Sequence, residues 1–237
     1  MLQTKKVDYK DKEVTLEAYY AFDDASKTKK PAVLIAHDWT GKNAWVCEKA
    51  EMLAKLGYIG IAIDMYGKGI IGTTTEEKMA LMQPIIQDRN KLIQRITAAF
   101  DMVKTLPEVD IRRIGVIGYC FGGLCALDLA RSGADIRGVV SFHGSLASSD
   151  IPNQPIKAKI LVLHGHIDPM VPPEQVANFE KEMTDANVDW QVHVYSNTKH
   201  AFTNPQANDE KLGIVYNKTA DQRSWVAMKN FLAEVFQ

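Results

Sequence analysis

The hydrophobic pattern of the chain changes once, close to its N-terminus. Two short segments, 6–9 and 14–20, alternate apolar and polar residues on either side of a Lys-Asp-Lys turn at 10–12. This period of two predicts a β-hairpin that has one face in water. The later apolar runs do not alternate, and they cover residues 32–36, 59–63, 114–117, 136–140, 160–163 and 192–195. Strands of that kind are buried on both faces, as in a parallel sheet covered by helices.

Segments with helical spacing lie between these strands. A Thr74-x-x-Glu77 capping box begins a helix that we expect to continue to about residue 105, with an interruption at Pro84. The other predicted helices cover residues 45–56, 124–131, 172–186 and 221–236. A hairpin followed by alternating strands and helices predicts a single α/β domain over residues 1–237. Its sheet is expected to be doubly wound and mainly parallel, with helices on both faces.

Composition and charge narrow the range of partners. The 237 residues are 46% hydrophobic and 24% charged, as in an ordinary globular protein, and the formal net charge is −1. Nucleic acids and anionic membranes bind basic surfaces, so we expect neither as a partner. No apolar run approaches the roughly 20 residues of a membrane helix, and no secretory signal is visible at the N-terminus.

Cysteine usage indicates a reducing compartment. Cys47, Cys120 and Cys125 form no C-x-x-C motif and do not make a disulfide framework. Together with the absent signal, this predicts a cytoplasmic protein. We expect a monomer or a small homo-oligomer, between which the sequence does not decide.

A candidate nucleophile follows the strand at 114–117. The sequence Gly-Tyr-Cys-Phe-Gly (118–122) runs on into Gly123 and a helix, which is the G-x-S-x-G strand–turn–helix pattern with cysteine in place of serine. The turn is strained, so the neighbours of the nucleophile must be very small. The helix N-terminus favours both a thiolate and an oxyanion. The pattern therefore predicts Cys120 as the nucleophile.

The same pattern predicts an oxyanion hole. One donor is the backbone N–H of Phe121, and the second is expected from Trp39 in the loop after the strand at 32–36. The alternative to a catalytic role is a small buried cysteine at a glycine-rich joint. We interpret Cys125 and Cys47 in that structural sense.

An acid and a base follow the next strands in the required order. Asp168 lies just after the strand at 160–163, and His200 lies just after the strand at 192–195. Loops at the carboxyl ends of parallel strands meet at one edge of the sheet, so both side chains can reach Cys120. We expect His200 to take the thiol proton and Asp168 to orient the imidazole. An Asp before Pro is also a common turn former, and a lone His is often incidental.

Other histidines allow further interpretations. His164 and His166 alternate with Asp168 in a way that could mimic metal ligands, but turn residues explain the run and no fourth ligand is obvious. We therefore expect no metal and no cofactor. His143 also follows a strand, which makes it a candidate contact for the substrate.

Taken together, these motifs resemble the dienelactone hydrolase family of the α/β-hydrolase fold. The residues that carry the resemblance are the Gly-Tyr-Cys-x-Gly-Gly turn at 118–123, the Asp168 loop with its Pro-x-Val-Pro tail, Lys-His-Ala-Phe at 199–202 and Asp-Met-Tyr-Gly at 64–67. They span nearly the whole chain. The resemblance implies a Cys–His–Asp triad, no cofactor, and hydrolysis of a small ester or lactone through an acyl-enzyme.

The chain departs from that family at the positions expected to hold the substrate. A Glu that pairs with the resting thiol in founding members is matched here by Asp38. Two arginines bind the substrate carboxylate in those members. One position is occupied by Asn204, and the other falls in a helix where this chain offers Lys78. Without bidentate arginines, tight carboxylate recognition is lost. The resemblance therefore implies the chemistry and leaves the substrate open.

Two other functions stay open from the sequence. Acyl esterases, thioesterases and peptidases of the same fold share this arrangement of nucleophile, acid and histidine. A non-catalytic ligand-binding or redox-sensing protein could also use an accessible thiol. An oriented pair of His200 and Asp168 favours catalysis, because a sensor does not need an oriented base.

Overall fold

The computed structural model describes residues 1–237. They group into two compact units, Met1–Ile117 and Gly118–Gln237. The single domain expected over residues 1–237 stays a prediction. None of the helices combines the length and apolar character that crossing a bilayer requires.

The first unit contains the predicted hairpin. Its strands, in the order β1-β2-β4-β3-β5, are β1 (Leu2–Asp11), β2 (Val14–Asp23), β3 (Lys30–Ala36), β4 (Ile59–Ile63) and β5 (Val109–Tyr119), which continues into the second unit. β1 and β2 pair antiparallel over their full lengths, β2 pairs antiparallel with β4, and β3 pairs parallel with β4. The apolar runs of β3 and β4 are buried, as their lack of alternation predicts.

Three helices complete the first unit. They are α1 (Ala44–Lys55), α2 (Thr75–Ile86) and α3 (Arg89–Thr105). The capping box at Thr74 and Glu77 is present at the start of α2. The interruption predicted at Pro84 lies slightly later, because Pro84 stays inside α2 and the side chain of Asp88 caps the start of α3.

The second unit continues with parallel strands and helices. Its elements are α4 (Phe121–Arg131), β6 (Gly138–Phe142), β7 (Lys159–Gly165), α5 (Pro173–Asp185), β8 (Trp190–Tyr195), β9 (Asn208–Asp209), β10 (Ile214–Val215) and α6 (Lys218–Val235). β7 pairs parallel with both β6 and β8. The three strands end side by side, so the loops that begin at residues 143, 166 and 196 leave from the same edge.

Two features of the second unit differ from the sequence prediction. β8 is only half-buried, although its apolar run predicts burial on both faces, because it pairs with a strand on one side only. The short antiparallel pair of β9 and β10 was not predicted. Strands of two residues are too short to show a period.

Candidate active site

Cys120 is the single residue between β5 and α4. Its backbone lies in a left-handed region, with φ 54° and ψ −116°. Non-glycine residues rarely adopt a positive φ, which costs of order 1–3 kcal/mol. Two hydrogen bonds maintain it: Cys120 N–H donates to Phe142 O at 3.0 Å, and Gly123 N–H donates to Cys120 O at 3.0 Å. The turn predicted around the cysteine is therefore present, with the side chain half-buried.

Glycines make this turn possible. A Cβ atom on Gly118 would lie 1.9 Å from Gly122 O, and one on Gly123 would lie 2.4 Å from Ser141 Oγ. Gly144 is as closely packed, because its Cβ would lie 2.5 Å from the same hydroxyl. The small residues predicted from the turn are thus required, by backbone atoms at Gly118 and by the Ser141 hydroxyl at Gly123.

The hydroxyl of Ser141 beneath this turn makes no hydrogen bond, although the residue is fully buried. An unsatisfied buried hydroxyl destabilises the folded state by roughly 1–3 kcal/mol, so its removal is favourable. We expect Ser141→Ala to leave the free energy of unfolding in urea unchanged or to raise it, by up to about 1 kcal/mol.

Thr198→Val is the matched control for Ser141→Ala. The Thr198 hydroxyl is also buried, but it donates to Ser196 O at 3.0 Å and accepts from Asn217 Nδ2 at 3.1 Å. Its removal is expected to lower the free energy of unfolding by about 1–2 kcal/mol. An equal loss of stability in both variants would contradict the interpretation of Ser141.

Asp168 and His200 form a buried pair. Nδ1 of His200 lies 2.7 Å from Oδ2 of Asp168, and the two residues are 3% and 4% exposed respectively. The other carboxylate oxygen accepts a hydrogen bond from Met170 N at 2.8 Å. A carboxylate only accepts hydrogen bonds, so Nδ1 carries a proton and donates the hydrogen bond to Asp168. Nε2 then faces away from the acid.

The environment of His200 favours its charged form. Burial lowers the pKa of this imidazole. The negative charge of Cys120 and the hydrogen bond with Asp168 act more strongly, and the pKa of His200 is raised to about 10. Nε2 is buried and makes no hydrogen bond within normal geometric limits. Cys120 nevertheless raises the pKa of His200, first through its charge and then through a side-chain interaction.

The titration of His200 provides a test. We expect its imidazole to titrate at a lower pH in Cys120→Ala than in the wild type. The variant loses a negative charge that favours the imidazolium, while the burial that opposes it remains. NMR of the His200 Cε1–H resonance from neutral to alkaline pH measures the shift. Cys47→Ser is the control, and its His200 titration midpoint should equal that of the wild type. Equal midpoints in Cys120→Ala and the wild type would contradict the effect of Cys120 on the pKa of His200.

His143 lies beside the triad histidine. It is 2% exposed, with φ 40°, and its Nε2 lies 2.7 Å from Thr203 Oγ1. Its ring meets that of His200 edge-on, with 5.2 Å between centroids, and also contacts Phe202 at 5.0 Å. The structure therefore places His143 next to the predicted base. A contact between His143 and the substrate stays a prediction.

The remaining predicted site residue of the second unit is Asn204. It is half-buried, and its Oδ1 accepts from Gln206 N at 3.0 Å. Its side chain thus stabilises its own turn.

The two histidines that alternate with Asp168 in the sequence differ in exposure: His164 is buried and His166 is exposed. No group of three or more His, Cys, Asp or Glu side chains has an arrangement that could hold a metal ion.

In the first unit, the structure brings together three predicted residues. Asp38 Oδ1 accepts from Thr40 N at 2.8 Å, and the ammonium of Lys78 lies 5.4 Å from the centroid of the Trp39 ring. The Tyr66 hydroxyl donates to Trp39 O at 3.0 Å. The sequence pattern does not indicate this bond, because Tyr66 and Trp39 are far apart along the chain.

The hydrogen bonds that fix His200 itself were also not predicted. His200 N–H donates to Gly213 O at 3.0 Å, and Val215 N–H donates to His200 O at 2.9 Å. Both partners belong to the β9–β10 segment. The backbone of His200 is therefore held at its N–H and at its C=O by a segment further along the chain.

Comparisons with known proteins identify the family of the chain. The model of the dienelactone hydrolase family matches residues 16–236. A protein of Aquifex aeolicus named "Putative carboxymethylenebutenolidase" is 27% identical over 230 residues, which cover 95% of this chain and 96% of that protein. An uncharacterised protein of Caenorhabditis elegans is 40% identical over 154 residues, 63% of this chain and 98% of its own length.

A solved structure matches along the entire chain. It is the dienelactone hydrolase-like promiscuous phosphotriesterase P91 from metagenomic libraries, which is 34% identical, with a TM-score of 0.96 over 100% of this chain and 99% of P91. The predicted α/β-hydrolase fold with its mainly parallel sheet is thereby confirmed. The chain is a hydrolase that belongs to the dienelactone hydrolase family.

Proposed function

We propose that the protein hydrolyses small carboxylic esters or lactones, with Cys120 as nucleophile, His200 as acid and base, and Asp168 as the residue that orients the imidazole. The observation that carries the proposal is the buried bond of 2.7 Å between His200 and Asp168. It fixes the tautomer that leaves Nε2 available to the cysteine. A cysteine with a left-handed φ at the start of α4 is the other half of the arrangement.

The first half of the reaction forms an acyl-enzyme. Because the pKa of His200 is raised to about 10, its side chain is an imidazolium at neutral pH. A neighbouring imidazolium favours a thiolate, so we propose that the Cys120 thiolate is the attacking group. The thiolate attacks the carbonyl carbon, and the C=O electron pair moves onto oxygen. The N–H of Phe121 at the start of α4 is the first oxyanion donor, and the N–H of Trp39 stays the predicted second donor. The C–O bond then breaks as His200 donates its proton to the leaving alkoxide.

The second half releases the acid. Neutral His200 takes a proton from water, and the hydroxide attacks the thioester carbon. The C–S bond breaks, the carboxylic acid leaves, and the thiolate and imidazolium are restored. In a lactone the alcohol stays attached to the acyl group, so a single hydroxy acid is the product. None of these steps needs a cofactor.

The substrate is proposed to be a small molecule that does not require a strongly bound carboxylate. Asn204 carries no charge and stabilises its own turn. Lys78 lies against the Trp39 ring, where a single ammonium can offer a point charge without the fork geometry of arginine. We therefore expect neutral esters and lactones to be cleaved at least as well as their carboxylated analogues.

A second activity is favoured by one comparison. P91, which is 34% identical over the whole chain, is described as a promiscuous phosphotriesterase. The same thiolate forms an S–P bond with a neutral triester as the P–O bond to an aryloxide breaks. Water then cleaves the S–P bond, which releases the phosphodiester and restores the thiol. We propose slow phosphotriester hydrolysis at the same cysteine, so that both activities are lost together when Cys120 is alkylated.

The experiment that tests the proposal is direct capture of the acyl group. We expect a small activated ester, mixed with the protein for milliseconds and quenched in acid, to add one acyl mass to the peptide that contains Cys120. An alkylating agent should abolish turnover in proportion to Cys120 modified, and substrate should protect against it. Cys47→Ser is the matched control, since it removes the other half-buried thiol.

Three results would each remove part of this proposal. Turnover without any acylated Cys120 excludes the acyl-enzyme. Turnover that persists after complete alkylation of Cys120 excludes the nucleophile. No turnover of any ester, lactone or thioester, together with ready oxidation of Cys120, favours the redox-sensing alternative instead.

A further inference from the structure

Gly213 makes one of the two hydrogen bonds that hold the backbone of His200. Its own carbonyl accepts from His200 N at 3.0 Å, and Val215, two residues later, donates to His200 O at 2.9 Å. Both polar groups of the His200 backbone are therefore bound to this short segment. Any displacement at Gly213 is passed on directly to the histidine.

The other side of Gly213 lies against the loop of the acid. Gly213 is buried, its φ is +69°, and an added Cβ would lie 2.4 Å from Cγ and 2.8 Å from Cδ of Pro169. Pro169 directly follows Asp168. The Asp168 carboxylate is bound to that same loop, because its Oδ1 accepts from Met170 N at 2.8 Å. A displaced Pro169 ring therefore carries the carboxylate with it.

We propose that Gly213 is a positioning residue, and that its missing side chain sets the separation between the acid and the base. It is bonded to the backbone of His200 on one side and packed on the ring next to Asp168 on the other. No other residue type has both the small size and the backbone freedom that this position requires. The expected loss of turnover rests on the proposed function, because it follows only if the His200–Asp168 geometry limits the reaction. The positioning of the two side chains does not depend on it.

The expected consequence follows from the narrow limits of a hydrogen bond. The distance between Nδ1 and Oδ2 is 2.7 Å, and a methyl group on Gly213 must push the Pro169 ring by about an ångström to reach ordinary contact. A misplacement of that size in catalytic groups lowers rates up to about a hundredfold. Substrate binding does not depend on this distance, so the loss should fall on kcat.

The test compares three variants of the full-length protein. Gly213→Ala is expected to lower kcat for an activated ester by about 10- to 100-fold, with KM within about twofold of the wild type. Gly57→Ala is the matched control, because Gly57 has φ +92° and nothing within 4 Å of an added Cβ. It introduces the same kind of backbone strain without a contact and should keep kcat within about twofold.

The third variant is a suppressor. Pro169→Ala removes Cγ and Cδ but keeps Cβ, which lies 3.8 Å from the added atom, an ordinary contact. When Pro169→Ala is added to Gly213→Ala, kcat should be about tenfold higher than in Gly213→Ala alone. Pro169→Ala alone is measured beside it, so that its own effect can be subtracted. If Gly213→Ala does not fold, a folded and active double variant supports the proposal, and an unfolded one overturns it.

A structural readout keeps this result separate from the proposed function. The His200 Nδ1 proton, bonded to a carboxylate, should give a low-field NMR resonance in the wild type. It should move upfield or vanish in Gly213→Ala, and it should return in the double variant. If the wild type hydrolyses no ester, the proposed function fails, and this resonance alone decides the positioning role. An unchanged resonance, or equal kcat values for Gly213→Ala and Gly57→Ala, overturns the inference.

Discussion

Cys120→Ala is expected to lower kcat/KM for a small activated ester by about 10⁴-fold or more. The alanine side chain has no lone pair with which to form the acyl-enzyme. His200 and Asp168 remain in place, but no nucleophile is left for them to assist. The backbone requires φ 54° at this residue, and Ala tolerates that conformation about as poorly as Cys. Stability should therefore change little, and the loss is one of chemistry.

The controls for this prediction use the other cysteines. Cys125→Ala removes a thiol that is buried in α4, and it should keep most of the activity at some loss of stability. Cys47→Ser should be close to the wild type in both respects. Steady-state rates measured beside thermal melting curves separate the two effects. Full activity in Cys120→Ala would mean that another residue is the nucleophile.

Gly118→Ala is expected to have the largest effect on stability, lowering the free energy of unfolding by about 3 kcal/mol or more and abolishing activity. Its Cβ would lie 1.9 Å from Gly122 O, 2.2 Å from Gly122 C and 2.6 Å from Gly123 N. All three are backbone atoms of the first turn of α4. They cannot rotate away as a side chain can, so β5 and α4 must separate, and Cys120 between them moves.

Gly138→Ala is the matched control for Gly118→Ala. Gly138 also lies in a strand of the second unit, but an added Cβ meets side-chain atoms of α6, with Phe231 Cε1 at 2.9 Å and Val235 Cγ2 at 3.0 Å. These side chains can adjust, so the loss should be about 1 kcal/mol. Urea unfolding of both variants gives the comparison. A loss in Gly118→Ala no larger than in Gly138→Ala would contradict the backbone clash.

Local sequence pattern was enough to place Cys120, Asp168 and His200 directly after strands. The turn around Cys120 is visible from its glycines, because the strain of that turn excludes other residues. Asp168 and His200 were found from their places after two strands. The bond between them was an expectation, and the structure shows it at 2.7 Å. Periodicity thus located the elements, and the parallel sheet brought their ends together.

What the sequence did not predict are contacts between distant and irregular segments. The β9–β10 pair has two residues in each strand, so no period can reveal it. The role of Gly213 depends on the ring of Pro169, and a glycine at that position otherwise indicates only a turn. The half-buried β8 shows the same limit. Its composition resembles that of a central strand, and only the pairing on one side explains its exposure.

Because of the left-handed backbone at Cys120, the residue that is best for stability at this position differs from the residue that the proposed reaction needs. Glycine adopts φ 54° without the steric conflict that a Cβ atom introduces, so a glycine at residue 120 would relieve strain of about 1 kcal/mol. Selection for thermal stability alone would therefore favour glycine at residue 120, which has no thiol. Under the proposed function, the cysteine is kept in spite of this strain because the reaction needs its thiol.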